Sequence, residues 1–156
     1  MCCPVIVEDA RLQRLSVTMR QFRFLNHTGD LAMEIYGESL ENLFENAGMA
    51  FFSVMTNRSR IRKRVERSIT LRYGDREILM VDWLGELLYL HDVEGLLFRR
   101  FNVVSIEQGC FKALAWGEPF QPDRHVIRTA IKAATFHQLE VREHGGTWRA
   151  RVVLDL

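Results

Sequence analysis

The sequence predicts an α+β domain with a mainly antiparallel sheet and two main helices packed on one face of that sheet. Two observations support this fold class. Segments in which apolar and polar residues alternate, as they do in half-buried strands, are mixed with two longer segments of helical periodicity. Several strand-like segments also follow one another through short turns, as in hairpins. The predicted order of elements is β-β-α-β-α-β-β-β-β.

A hairpin and a helix are predicted at the start of the organised pattern. Residues 20–25 alternate in polarity, and residues 31–36 alternate again after the turn His27–Asp30. Ser39 is a favourable N-cap for a helix of roughly 15 residues, because its hydroxyl can accept a hydrogen bond from the first helical turn.

The rest of the chain is predicted to contain a second helix and several more strands. A broad apolar face marks the helix at residues 78–92, and Gly95 ends it. Residues 129–142 are ambiguous at their start, and only the part from Phe136 onward is strand-like. The other predicted segments are strands at 64–73, 97–106, 110–116 and 148–154, a loop at 117–123 and a hairpin turn at 144–147.

The length of 156 residues suits a single domain. Residues 1–18 show no clear periodicity, and the organised pattern begins at Met19. We therefore predict one domain at residues 19–156. It is preceded by an N-terminal extension at residues 1–18, which is either a flexible arm or an extended start.

The composition is typical of a soluble globular protein, with 47% hydrophobic and 26% charged residues. No apolar run approaches the ~20 residues that a membrane helix needs. Pro4, Glu8 and Asp9 interrupt any signal-peptide core, so the expected location is the cytoplasm. The three cysteines are poorly spaced for a zinc site, and we expect them to be structural or free thiols.

One basic run stands out against a net charge of only +1. Residues 58–64 contain five arginines and lysines, and the net charge argues against strong autonomous binding of nucleic acid. The run is either a solvated loop at the entry to a strand or a contact for an acidic or phosphorylated partner.

Three carboxylates are candidates for a shared site. Asp30 lies in the first predicted turn, and Asp155 lies beside the α-carboxylate of Leu156 at the end of the closing strand. If the two strands are neighbours, these groups meet, and crowded carboxylates repel unless a proton or a cation relieves them. Oxygen ligands alone indicate a hard cation such as Ca²⁺, Mg²⁺ or Mn²⁺.

No catalytic motif accompanies this cluster. The chain has no recognisable nucleophile and base pair in a hydrolase elbow, and its glycines match neither the dinucleotide-binding nor the P-loop pattern. The sequence therefore predicts a protein that assists chemistry carried out elsewhere and is not itself an enzyme.

Five segments, in order, resemble the archease family. That family has a His-Thr-Ala-Asp turn, a Leu-Phe-Glu-Asn-Ala helix core, a Trp-Leu-x-Glu-Leu-Leu-Tyr-Leu helix, an Ile-Lys-Ala-x-Thr-x-His segment and a closing Leu-Asp-Ile. The corresponding residues here are His27–Asp30, Leu43–Ala47, Trp83–Leu90, Ile131–His137 and Leu154–Leu156. Gly29 replaces the usual alanine, and Leu156 replaces the usual isoleucine; neither change removes a ligand atom.

The resemblance implies an archease-like fold and a protein cofactor of the RtcB-type RNA ligase. Such a cofactor promotes guanylylation of the ligase and its multiple turnover in tRNA splicing and RNA repair. It contacts RNA only indirectly, through the ligase. The family's metal site, described with calcium, maps onto Asp30, Asp155 and Leu156. The alternatives are a metal-dependent phosphodiester hydrolase and a chaperone-like module for a tRNA-modifying enzyme.

Three further residues are candidates for second-shell or partner-facing roles. His27 lies three residues before Asp30, and it is either a structural histidine or a support for the metal site. His125 follows a proline-containing loop and is expected at the surface. Lys132 lies in an apolar segment, so its ammonium group must reach solvent or an anion.

Overall fold

The computed structural model describes residues 20–27 and 29–156, without the side chain of His27. The predicted N-terminal extension at residues 1–18 lies outside the described residues. The order of elements follows the prediction, with one short 3₁₀ turn added. The elements are β1 (Phe22–His27), β2 (Asp30–Gly37), α1 (Leu40–Met55), the 3₁₀ turn (Arg58–Arg60), β3 (Val65–Arg72), α2 (Arg76–Glu94), β4 (Leu96–Glu107), β5 (Cys110–Pro119), β6 (Ala133–His144) and β7 (Thr147–Asp155).

The described strands form two antiparallel sheets. One sheet has four strands in the order β1-β2-β7-β6, and the other has three in the order β3-β5-β4. The α+β class is confirmed, although the strands divide between two sheets where one was predicted. Helix α1 packs against β2 of the larger sheet and β4 of the smaller one, and α2 packs mainly against β6. Helix α1 thus buries apolar surface of both sheets at once.

Both helices begin at a side-chain cap. The Ser39 hydroxyl accepts a hydrogen bond from the Asn42 N–H at 3.0 Å, as predicted. Helix α2 begins two residues before the predicted start, because the Asp75 carboxylate accepts the N–H groups of Glu77 and Ile78. Gly95 ends α2 in the left-handed conformation with φ of 71°, which confirms its predicted role.

Aromatic side chains of both helices and the smaller sheet fill the core. The indole of Trp83 in α2 packs against Phe101 and Phe111, and its N–H donates to the carbonyl of Phe44 at 2.9 Å. This bond satisfies the one polar atom of a fully buried ring. It therefore fixes how α2 lies against α1.

Residues 117–119 were predicted as loop but belong to strand β5. Composition misled the prediction, because glycine and proline together are typical of turns. Gly117 instead allows a close approach of two strands. A Cβ added there would lie 1.8 Å from the carbonyl oxygen of Leu97 and 2.7 Å from the Cα of Phe98.

We expect Gly117→Ala to lower the free energy of unfolding by about 3 kcal/mol or more, because rigid backbone blocks the new methyl group. Gly85 is the matched control, since it lies in α2 with no atom within 4 Å of an added Cβ. Gly85→Ala should stabilise the protein by roughly 0.5–1 kcal/mol through helix propensity. Urea unfolding measures both changes, and a neutral Gly117→Ala would contradict the packing argument.

Strand β6 is interrupted where the sequence pattern is strand-like. Pairing with β7 holds from Ala133 to Thr135 and resumes at Glu140. Between them Gln138 adopts φ of 53°, and the side chain of Phe136 is 63% exposed. The alternation that begins at Phe136 therefore reflects paired strand only from Glu140 onward. None of the helices formed by the described residues has the length and apolarity required to cross a membrane.

Candidate metal centre

The register of the larger sheet brings Asp30 and Asp155 together. Strands β2 and β7 are neighbours, and these two residues are direct Cα partners in the antiparallel ladder. Directly opposed residues share one face of a sheet, with Cβ atoms about 4.5–5.5 Å apart. Two of the three predicted carboxylates are thus adjacent. The two strands are neighbours, as the predicted carboxylate cluster required.

One oxygen of the Asp30 carboxylate is available to coordinate a cation. Its Oδ1 is buried and accepts no hydrogen bond from the residues that the structure describes. A buried oxygen without a donor is destabilising, and a second carboxylate across the strand pair adds repulsion. A bound cation would relieve both, so the donor set fits a hard divalent ion.

The end of the chain is held in place by the sheet. The carbonyl oxygen of Asp155 accepts the N–H of Lys132 at 2.8 Å, and the half-buried side chain of Leu156 packs against the core. Leu156 therefore follows Asp155 on an anchored backbone. No group of three His, Cys, Asp or Glu side chains suited to a metal occurs among the described residues. A cation at this edge would take main-chain oxygens or water besides the two aspartates.

Two of the other predicted residues lie along the same edge. His27 is the Cα partner of Asp30 across the β1–β2 hairpin. Lys132 precedes β6, and its side chain is exposed, as its apolar sequence context required. Asp30 begins β2 and Asp155 ends β7, so these residues lie at one end of the two central strands. We call this end of the sheet, with Leu156, His27 and Lys132, the carboxylate edge.

His125 does not lie at the surface, where the sequence placed it. Its side chain is buried, with 2% of the residue exposed. Its Nδ1 accepts the N–H of Gln121 at 2.9 Å, which assigns the ring proton to Nε2, and Nε2 lies 3.0 Å from Glu118 Oε2. The proline-containing loop folds back over its own polar residues, and His125 is therefore part of a buried cluster.

Glu118 is the centre of that cluster. Its fully buried carboxylate also forms an ion pair with Arg124 at 2.5 Å and accepts the N–H of Arg62 at 2.8 Å. Burial alone would raise the pKa of Glu118, but the donors from Arg124, Arg62 and His125 lower it to about 2. Nothing in the sequence indicated this cluster apart from charged residues in a turn-like segment.

A second buried carboxylate, Glu34, lies on the solvent side of the larger sheet. It accepts hydrogen bonds from Arg23 at 2.6 Å, Tyr36 at 3.1 Å and Arg149 at 2.9 Å. Burial opposes ionisation, yet these donors together lower the pKa of Glu34. The alternation of residues 31–36 did not indicate that this glutamate is buried. The arginines of neighbouring strands cover it, and only strand order places them there.

Comparison with known proteins gives one consistent family. Residues 22–156 match the Archease protein family (MTH1598/TM1083). The chain is 42% identical over 141 residues to the protein archease of Methanosarcina mazei, covering 88% of this chain and 97% of that protein. It is 39% identical over 139 residues to the protein archease of Sulfolobus acidocaldarius, covering 88% of this chain and all of that protein.

Solved structures agree with the sequence comparison. The solution structure of Methanobacterium thermoautotrophicum protein 1598 is similar, with a TM-score of 0.79 and 40% identity over 88% of this chain and 100% of that one. A crystal structure from Thermotoga maritima, described as an archease and possible chaperone, has a TM-score of 0.57 and 24% identity. It covers 88% of this chain and 98% of its own, and it shows the shared fold. With the family match over most of its length, the chain belongs to the archease protein family.

Proposed function

We propose that this protein is a metal-binding, non-catalytic activator of an RtcB-type RNA ligase in the cytoplasm. In this role it promotes guanylylation of the ligase and its multiple turnover in tRNA splicing and RNA repair. The observation that carries the proposal is the carboxylate edge, where Asp30 opposes Asp155 at the anchored end of the chain. Membership of the archease family supports an accessory role with a partner protein, and the sequence resemblance implies that this partner is the ligase.

Asp30, Asp155 and the α-carboxylate of Leu156 would hold the cation, with Ca²⁺ favoured over Mg²⁺ or Mn²⁺. Ca²⁺ accepts irregular sets of oxygen ligands completed by water, whereas Mg²⁺ demands near-octahedral geometry. When bound, the ion would supply positive charge that neutralises the crowded carboxylates. Its removal should leave the fold intact, because apolar side chains form the core and the charged groups of Asp30 and Asp155 take no part in it.

The protein's own residues would act by docking. Asp155 and Lys132 are both exposed and connected through the bond from the Lys132 N–H to the Asp155 carbonyl. A carboxylate and an ammonium group on backbones that are joined in this way can recognise a complementary charged surface near the ligase active site. Binding there would favour the ligase conformation that receives GMP, provided that this conformation binds the activator more tightly.

The proposal is tested by titrating the purified protein against its own ligase with GTP and Mn²⁺, without RNA. We expect sub-stoichiometric protein to raise the amount of ligase–GMP adduct. With RNA present, it should convert single-turnover ligation into multiple turnover. A ligase–GMP level that stays constant across the titration would refute the proposed function.

The same protein preparation tests the two alternative functions. Phosphodiester hydrolysis by the isolated protein with Mn²⁺ would indicate the hydrolase alternative. Improved solubility or specificity of a tRNA-modifying enzyme, with no effect on the ligase, would indicate the chaperone-like module.

A further inference from the structure

A dense group of cations shares no residue with the carboxylate edge and has no part in the proposed metal site. It combines the basic run found in the sequence with arginines from strand β4 and from the loop between β5 and β6. We define this group as the basic surface. Its members are Arg58, Arg60, Arg62, Lys63, Arg64, Arg99, Arg124 and Arg128.

Hydrogen bonds to the backbone bring these segments together. Arg58 Nη1 donates to the carbonyl of Arg99 at 2.9 Å, and Arg99 Nη1 donates to the carbonyl of Ile61 at 3.3 Å. Arg124 Nη1 donates to the carbonyl of Arg60 at 3.1 Å. Carbonyls orient a guanidinium without cancelling its charge. These contacts therefore hold arginines close to one another while preserving their positive charge.

The charges are not balanced within the described part of the chain. No described carboxylate forms an ion pair with Arg58 or Arg99. Partial burial lowers the pKa of Arg58, and the nearby charge of Arg99 lowers it further. Two like charges held together in this way are unfavourable unless an anion joins them.

A recess of about 290 Å³ is lined by other members of the basic surface. Arg60, Arg124 and Arg128 line it, together with one carboxylate, Asp123. The buried Glu118 already neutralises Arg124. Arg60 and Arg128 therefore outweigh the single charge of Asp123 and leave the recess with a net positive charge.

A purely structural role explains only part of the basic surface. Arg58 Nε donates to the Ser53 hydroxyl at 3.2 Å, and Arg128 Nη2 donates to the Ser53 carbonyl at 3.5 Å, in the last turn of α1. Cations at a helix C-terminus are favourable because of the helix dipole. That role does not extend to Arg62, Lys63 and Arg64, whose side chains are exposed.

The backbone that carries these three side chains is fixed. The N–H of Arg62 donates to Glu118 Oε2 at 2.8 Å, and the N–H of Arg64 donates to the carbonyl of Gly117 at 2.8 Å. Alternate residues of an extended chain lie roughly 6.6 Å apart. Arg62 and Arg64 are therefore two neighbouring cations on a backbone that is held at both positions, with Lys63 between them, and this support reduces the ordering cost of binding.

We infer that the basic surface binds the phosphodiester backbone of single-stranded RNA directly, whereas the sequence resemblance implies contact with RNA only through the ligase. Many closely spaced cations suit a polymer with one charge per nucleotide. Phe120, in the same loop as Arg124, has 37% of its surface exposed and could stack on a base. The choice of RNA over an acidic protein segment rests on the proposed function, which brings the protein to an RNA-bound ligase.

The test measures fluorescence anisotropy of a labelled single-stranded RNA titrated with the full-length protein, without ligase, at several salt concentrations. Arg62→Gln, Lys63→Gln and Arg64→Gln are combined in one variant. We expect it to bind on the order of tenfold more weakly at low salt. The slope of log affinity against log salt should fall by about 2, since each lost phosphate contact contributes about 0.7.

The matched control removes three exposed cations from the opposite ends of the strands, as Arg72→Gln, Lys112→Gln and Arg142→Gln. It has the same net charge as the test variant and should bind RNA like the wild type. Equal weakening of RNA binding in both variants would overturn the inference, because it would show that binding depends on net charge alone. No measurable RNA binding by the wild type at low salt would overturn it too, as would tighter binding of a polyglutamate peptide than of RNA.

The ligase–GMP assay without RNA separates this inference from the proposed function. The test variant should stimulate guanylylation normally, since its side chains lie outside the carboxylate edge. Stimulation of guanylylation by a wild-type protein that does not bind RNA would support the proposed function and refute the RNA-binding role of the basic surface. RNA binding without stimulation of guanylylation would support the RNA-binding role and refute the proposed function.

Discussion

Replacement of Glu118 by glutamine should lower the free energy of unfolding by about 3 kcal/mol at pH 7. Glutamine keeps the size of the side chain, but it removes the charge that pairs with Arg124 in a fully buried position. The pKa of Glu118 falls from 4.5 to about 2 on folding, and each unit corresponds to about 1.4 kcal/mol. Loss of one partner from a buried ion pair has a cost of similar size.

The pH dependence gives this prediction a definite sign. The pKa of Glu118 is lower in the folded protein than in the unfolded chain, so the unfolded chain binds the proton first as the pH falls. Its stabilising contribution is complete above about pH 4.5 and disappears as the pH falls towards 2. The difference in stability between wild type and Glu118→Gln should narrow over that range.

Urea unfolding at pH 7 and at several lower pH values measures this effect. Glu107→Gln is the control, because Glu107 is an exposed carboxylate at the end of β4, and its replacement should change stability by less than about 0.5 kcal/mol. A Glu118→Gln protein as stable as the wild type at pH 7 would show that the buried cluster contributes nothing to the fold.

Amidation of the C-terminus should abolish most of the metal response, as should Asp30→Asn. Amidation removes the negative charge of the Leu156 α-carboxylate with almost no added bulk. Asp30→Asn removes a charge from the partly buried group whose Oδ1 has no described donor. We expect Ca²⁺ affinity to fall by about tenfold or more in each case, since even outer-shell changes cause losses of that size.

Thermal melts with and without Ca²⁺ measure the loss, because a ligand that binds only the folded state raises the melting temperature. Without metal, Asp30→Asn should be at least as stable as the wild type, since it relieves repulsion from Asp155. Asp82→Asn, at an exposed position of α2, is the control and should respond to Ca²⁺ like the wild type. An undiminished Ca²⁺ response in both altered proteins would contradict the metal site. A C-terminal tag should reduce ligase activation for the same reason that amidation does.

Local chemistry explains which elements could be predicted. Ser39 and Gly95 mark helix ends through hydrogen bonding and backbone conformation that depend on a few neighbouring residues. The loop prediction for residues 117–119 was wrong because their turn-like composition hides a contact with Leu97, a residue 20 positions earlier in the chain. The interruption of β6 was missed for a similar reason, since its register is set by β7.

The sequence by itself determined the fold class, the order of the elements, the family resemblance and the candidates Asp30, Asp155 and Leu156. These follow from periodicity, capping and motifs, which are properties of short segments. Only the tertiary structure decided that Asp30 faces Asp155, that His125 is buried against Glu118, and that Arg58 lies beside Arg99. Each of these depends on strand order or loop packing between residues that are distant in sequence. Burial and neighbouring charge, which set the chemistry of these groups, exist only once the chain has folded.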